Sequence, residues 1–127
     1  MKKRILIVDD EPMLREIFRE AFEMVGFYVD EATNGREALS MIQASKYDCV
    51  LSDVRMPGGD GIELVKNLHG LSGPKPKLFL VTGFTDIETQ NLKEWGVLSV
   101  FDKPFDFRII IEQVTASVAI QPAVSPA

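Results

Sequence analysis

One cysteine, one histidine and one tryptophan occur in 127 residues. A lone cysteine cannot close an internal disulfide, and Cys49 sits in the apolar run Cys49-Val50-Leu51, where it reads as a small core residue. Lys/Arg-rich runs and basic–aromatic stripes are missing and the net charge is −5, so this segment lacks the electrostatic footprint of nucleic-acid binding. Long apolar runs are missing too. The basic start Met1-Lys2-Lys3-Arg4 leads only into Ile5-Leu6-Ile7-Val8, which stops at Asp9-Asp10, far short of an export signal or a membrane span. Cytoplasmic residence without a membrane segment is the expectation that follows.

What is present suits a folded domain. The chain is 46% hydrophobic and 26% charged, which places it among ordinary globular proteins and away from disordered ones. Its length fits one domain, expected over residues 1–120, with the Pro/Ala-rich 121–127 as a tail or linker stub. Short apolar runs recur at Ile5–Val8, Phe27–Ala32, Cys49–Ser52, Leu78–Thr82 and Leu98–Phe101 and predict five strands. Between them the spacing is helical. Met13, Leu14, Ile17, Phe18, Ala21, Phe22 and Val25 form one stripe, Ala38, Leu39, Met41 and Ile42 begin another, and Phe107, Ile110, Ile111, Val114 and Val118 form a last one. Asp10 before Pro12, Asn34 before Glu37, and Thr85-Asp86-Ile87-Glu88 mark helix starts. Gly26, Gly70 and Gly96 fall where left-handed residues end helices.

Alternating strands and helices with short connections predict a parallel sheet covered on both faces, a three-layer α/β sandwich. In such folds ligands gather beyond the carboxyl ends of the strands. Those ends carry Asp9-Asp10, Asp53, Thr82 and Lys103-Pro104. Carboxylates brought together repel one another unless protonated or bridged by a cation. An all-oxygen set with no His or Cys at that edge selects a hard ion, and Mg²⁺ fits best. Asp53 is also a nucleophile able to form an acyl phosphate, with Lys103 neutralising phosphoryl charge and Thr82 donating a hydrogen bond to it.

Together Ile-Leu-Ile-Val-Asp9-Asp10-Glu11-Pro12, Ser52-Asp53-Val54-Arg55-Met56-Pro57-Gly58 with Asp60-Gly61, Val81-Thr82-Gly83 and Asp102-Lys103-Pro104-Phe105 resemble the receiver domains of two-component response regulators, from Lys3 to about Ser117. The resemblance implies a flavodoxin-like fold with strand order 2-1-3-4-5. It implies that Asp53 is the phosphoacceptor, that Asp10 and Asp53 are the principal metal-binding acids with Asp9 contributing mainly through water, and that the Arg55 backbone carbonyl completes the protein ligands to Mg²⁺, for which Mn²⁺ substitutes. Thr82 and Lys103 become the switch hydroxyl and the phosphate-contacting lysine, with Lys103-Pro104 cis. The implied donors are a sensor histidine kinase, a phosphotransfer protein or a small phosphodonor. The implied output is a protein-interaction surface on the fourth helix, fifth strand and fifth helix, toward a downstream protein or attached output domain, with dimerisation on phosphorylation as one outcome. The implied protein is a phosphoprotein of phosphorelay signalling that assists its own phosphorylation and dephosphorylation rather than an enzyme. The family's aromatic switch residue, three positions before the lysine, is Val100 here, and Phe101 is expected in the core.

Simpler readings exist for single features. Asp10 before Pro12 would serve as a helix cap, His69 before Gly70 suits a helix C-terminus, Gly58-Gly59 suits a tight turn, and Trp95, Phe18 and Phe22 suit packing. Two other functions compete: a degenerate receiver that docks partners without phosphorylation, and a metal-dependent phosphatase using Asp53, for which no cap insertion or substrate pocket residues appear. Arg55, two residues after Asp53, and Phe84, two after Thr82, are expected to lie beside the phosphorylation site and to alter access of water to an acyl phosphate, by guanidinium pairing and ring shielding. Arg55→Ala and Phe84→Ala should therefore change the lifetime of the phosphorylated form, measured as the rate of phosphate release; unchanged rates in both would refute this.

Overall fold

The computed structural model describes residues 2–83 and 90–118. Ten elements alternate: β1 (Arg4–Val8), α1 (Pro12–Met24), β2 (Tyr28–Ala32), α2 (Gly35–Ala44), β3 (Cys49–Asp53), α3 (Gly61–His69), β4 (Lys77–Thr82), α4 (Gln90–Glu94), β5 (Val97–Asp102) and α5 (Phe107–Ser117). The strands are parallel throughout and ordered β2-β1-β3-β4-β5, as expected.

Side-chain alternation along the strands sorts the core into two layers. Leu6, Val8, Val50, Leu78 and Leu80 face Ala38 of α2, Leu64, Val65 and Leu68 of α3, and Leu92 of α4. Ile5, Ile7, Cys49, Leu51, Phe79 and Val81 face Phe18 and Phe22 of α1 and Ile110 and Val114 of α5. Because both faces of the central strands are covered, their sequences are apolar at consecutive positions rather than alternating. Cys49 is fully buried, and burial pushes its thiol up to about 12, so it is an inert core residue. Phe101, also buried, stacks on Phe79 with centroids 6.2 Å apart, while Val100 lies half-buried against the opposite layer.

Local signals are met in most places. The Asn34 side chain caps α2 by accepting from Glu37 N–H at 2.9 Å, and the Glu37 carboxylate reaches back to Thr33 N–H at 2.6 Å. Gly26 and Gly96 take positive φ after α1 and α4, and Gly58-Gly59 forms the left-handed turn between β3 and α3. Trp95 follows α4, half-buried against the α2–α3–α4 layer with the Lys66 ammonium 5.2 Å from its ring centroid. His69 occupies the last turn of α3.

Three expectations are corrected. Glu11, not Asp10, is the N-cap of α1, and it makes no side-chain capping bond; Pro12 already supplies a residue without an N–H to satisfy. Gly70 is right-handed at φ −76°, because the chain continues its turn there and reverses only at Gly73 (φ +90°). The apolar stripe of α1 is wider than its contact face: Phe18 and Phe22 are buried, whereas Met13 is 73% and Ile17 40% exposed. Phe84, the Thr85–Glu88 capping signal and the 121–127 tail lie outside the described residues.

Two glycines are demanded by close backbone approach. A Cβ on Gly61 would collide with the carbonyl oxygen of Asp53, and one on Gly35 would lie 2.8 Å from the carbonyl oxygen of Asp60. Gly61 N–H donates to Val54 O at 2.8 Å and Gly35 N–H to Gly59 O at 2.8 Å, so the β3–α3 loop is clamped between the starts of α3 and α2. Gly61→Ala should lower stability by about 1–3 kcal/mol through this forced overlap with backbone, measured by chemical denaturation; a change within about 0.5 kcal/mol of zero would show that the loop can move aside.

Candidate functional site

The register of the sheet places the strand ends side by side. Val8 pairs with Ser52, so the residues that follow, Asp9 and Asp53, are neighbours across β1 and β3; Asp53 pairs with Val81 and Thr82 with Asp102. Thr82 therefore holds the last paired position of β4 and Lys103 lies one residue beyond the last of β5, so these side chains and the two carboxylates fan along one edge. Backbone bonds extend the ladders past the strands: Asp9 N–H donates to Ala32 O at 3.1 Å, Val54 N–H to Val81 O at 3.0 Å and Lys103 N–H to Thr82 O at 2.8 Å.

Carboxylate oxygens of Asp9, Asp10 and Asp53 lie within 4.8 Å of one another. Asp9 and Asp53 are buried, at 4% and 8% exposure, and Asp10 is exposed. The Asp9 Oδ1 accepts from Glu11 N–H at 2.8 Å, and Asp53 Oδ1 accepts from Val54 N–H at 2.8 Å. The Ser52 hydroxyl donates to the Asp53 carbonyl at 2.8 Å, fixing the backbone beneath the carboxylate. Lys103 brings its Nζ to 3.4 Å from Asp53 Oδ2, beside the cis Lys103–Pro104 bond. Phe105 and Phe107, just beyond, sit 5.7 and 5.0 Å from the Phe18 ring and tie this loop to α1.

The electrostatics follow from crowding. Burial, above all, pushes Asp9 up from 3.8 to about 6; the Glu11 amide pulls it back, Asp53 and Asp10 push it further, and Lys103 pulls it down. A site in which one buried acid is held that far above its usual range is short of positive charge, and a divalent cation at the shared oxygens would supply it. The donor set is all oxygen, as a hard ion requires. Of the residues expected from sequence, Asp9, Asp10, Asp53 and Lys103 are brought together by direct geometry, Thr82 is buried at the end of β4, and Arg55 is exposed two residues beyond Asp53. Sequence reasoning missed Arg15 and Glu31. Arg15 Nη1 donates to the Asp9 carbonyl at 2.8 Å and its Nε to Glu31 Oε1 at 3.0 Å.

Comparison with known proteins places the fold in a family. The family model for the response regulator receiver domain matches residues 5–115. Sporulation initiation phosphotransferase F of Bacillus subtilis is 35% identical over 115 residues, spanning 90% of this chain and 92% of that protein. Longer relatives are matched in part, the chain spanning 22% of one and 50% of another. Among solved structures, the response regulator protein TrrA of Thermotoga maritima, in complex with Mg(2+)-BeF, superposes with a TM-score of 0.78 at 33% identity, covering 90% of this chain and 97% of that one. A CheY-like response regulator receiver domain protein of Methanospirillum hungatei gives a TM-score of 0.85 at 28% identity, covering 94% and 95%.

The raised Asp9 carboxyl gives a signed prediction. An acid whose folded value lies above its unfolded one favours folding below the unfolded value, here 3.8, and that contribution is lost as pH rises through about 6. In chelator without divalent cations, Asp9→Asn should therefore be more stable than the parent by about 1–3 kcal/mol at pH 7, with the difference closing toward pH 4. Denaturation at the two pH values checks this, and equal stability at pH 7 would contradict it.

Proposed function

The chain belongs to the response regulator receiver domain family of two-component signalling, and we propose that Asp53 is its phosphoacceptor. The observation that carries this is the convergence of three carboxylates within 4.8 Å, with the Lys103 ammonium 3.4 Å from Asp53. Asp53 is held for attack: Val54 N–H fixes one carboxylate oxygen and Lys103 faces the other. A carboxylate oxygen of Asp53 forms a bond to phosphorus as the bond from phosphorus to the donor's imidazole nitrogen, or to the acetate oxygen of acetyl phosphate, breaks and its electron pair leaves with the donor. Lys103 and the Thr82 hydroxyl receive the phosphoryl oxygens.

Asp9, Asp10, Asp53 and the Arg55 carbonyl would hold Mg²⁺, or Mn²⁺ in its place, which when bound would supply positive charge against phosphoryl oxygens. The phosphoryl group ends on the protein itself, so the domain acts as acceptor rather than as an enzyme turning over a separate substrate. Its donor is a sensor histidine kinase or phosphotransfer protein. Its output surface is the face of α4, β5 and α5, where Leu98 and Ile109 are each 49% exposed and Ser99 Oγ donates to Gln113 Oε1 at 3.2 Å across β5 and α5. No helix among the described residues is long and apolar enough to cross a membrane.

Incubation with acetyl phosphate and Mg²⁺ should add one phosphoryl group, read by intact mass. Asp53→Asn and metal-free samples should both abolish it. Incorporation that persists in Asp53→Asn would displace the acceptor to another residue, and no incorporation from acetyl phosphate or from a kinase would leave a phosphorylation-independent docking module as the better account.

A further inference from the structure

The exposed acid of the site has no support of its own. Among the described residues no hydrogen bond reaches the Asp10 carboxylate, whereas Asp9 Oδ1 is held by the Glu11 amide and Asp53 Oδ1 by the Val54 amide. The position of Asp10 is therefore set by its backbone, through the peptide unit that joins it to Asp9. That unit is gripped at its oxygen. Arg15, one turn into α1, donates from Nη1 to the Asp9 carbonyl at 2.8 Å, while Asp9 N–H on the other side is fixed by Ala32 O at 3.1 Å. The guanidinium is itself aimed. Its Nε lies 3.0 Å from Glu31 Oε1 near the end of β2, with side-chain exposures of 15% and 27%, and the second Glu31 oxygen accepts from Arg19. A planar fork that binds a carboxylate with one nitrogen and a carbonyl with another has little freedom left.

We propose that Arg15, oriented by Glu31, is a positioning residue for the cation site, holding the Asp9–Asp10 peptide so that the Asp10 carboxylate stays beside those of Asp9 and Asp53. It touches neither the cation nor the phosphoryl group. The inference rests on the acidic cluster being the Mg²⁺ site. Metal-site residues of this supporting kind alter affinity when removed, because the ligand must then be ordered during binding.

The test is Mg²⁺ affinity itself, measured by calorimetric titration, with phosphoryl incorporation followed separately. Arg15→Ala should raise the Mg²⁺ dissociation constant about tenfold. Arg15→Lys should recover part of this, since an ammonium can reach one acceptor but cannot span both. Glu31→Gln should weaken binding in the same direction. Arg19→Ala, which removes ion pairs to the same Glu31 and to Glu23 but leaves the Asp9 carbonyl bonded, should lower the melting temperature while keeping Mg²⁺ affinity within about twofold of the parent. A merely structural role predicts lower melting in both arginine variants with affinity unchanged in both, and that result overturns the proposal, as does an equal loss of affinity in both. Circular dichroism of Arg15→Lys and Glu31→Gln guards against reading misfolding as lost affinity. A parent protein that binds Mg²⁺ but takes no phosphoryl group defeats the phosphoacceptor reading alone, and one that binds no Mg²⁺ defeats both.

Discussion

Bringing the Asp9, Asp10 and Asp53 carboxylates within 4.8 Å of one another opposes folding, and the domain is arranged to hold them there. Two of the three are buried, so water screens them poorly. What keeps them in place is the parallel sheet. Adjacent β1 and β3 end at the same level, and the ladder bonds at Asp9 N–H and Val54 N–H continue past the last strand residues. Separation would require breaking those bonds or shifting a central strand whose side chains are buried on both faces. The repulsion is thus stored in a part of the fold that cannot relax locally, and a cation or a phosphoryl group with its counter-ion can act on it.

The surroundings of the site are correspondingly stiff. Asp9, Ser52, Asp53 and Thr82 are the buried polar side chains among the described residues, and all four lie at this one edge. The loop after Asp53 has no room to withdraw, since Gly61 and Gly35 lie at near-contact distance from its backbone. On the opposite side, Phe18, Phe105 and Phe107 bind the Lys103 loop to α1 with centroid separations of 4.9 to 5.7 Å. Phe18 is buried and the other two rings are half-buried, and full burial of such a ring contributes about 1.5–3 kcal/mol. Those rings serve the site as well as the core, because they fix where Lys103 can place its ammonium.

Most of this was legible in the residue order, and the exceptions have physical causes. Five apolar runs and the intervening helical spacing specify the strands and helices because local pattern and tertiary burial agree, and the strand-end rule then points to Asp9, Asp10, Asp53, Thr82 and Lys103 without coordinates. The cap of α1 lies one residue later than the Asp10–Pro12 pattern suggests, because Pro12 takes the first helical position, where its missing N–H costs nothing, and Asp10 joins the carboxylate cluster instead. Gly70 was misread because a glycine after a helix permits a left-handed turn without requiring one. Arg15 and Glu31 are 16 positions apart and meet only when α1 packs beside β2. No local signal separates them from other surface charges. The clamp at Gly61 depends on a backbone distance, which composition does not encode.

The arrangement at β5 bears on how a phosphoryl group at Asp53 can be felt elsewhere. A ligand shifts a conformational equilibrium only by its difference in affinity for the two states, and moving a population from about 1:99 to 99:1 takes a preference of about 10⁴-fold. Val100 offers two methyl groups and no ring, and its burial or exposure is worth about 1.5–3 kcal/mol at most, short of the roughly 5.5 kcal/mol that such a shift requires. Phe101 cannot stand in, since it is buried on the other face of the sheet and stacked on Phe79. The bulk of any preference must then come from the polar end of the site, where, in the proposed reading, Thr82 and Lys103 would meet the phosphoryl oxygens. Lys103 N–H is bonded to the Thr82 carbonyl and Ser99 Oγ to Gln113 Oε1, so hydrogen bonds link the end of β4 to the residue after β5, and β5 to α5.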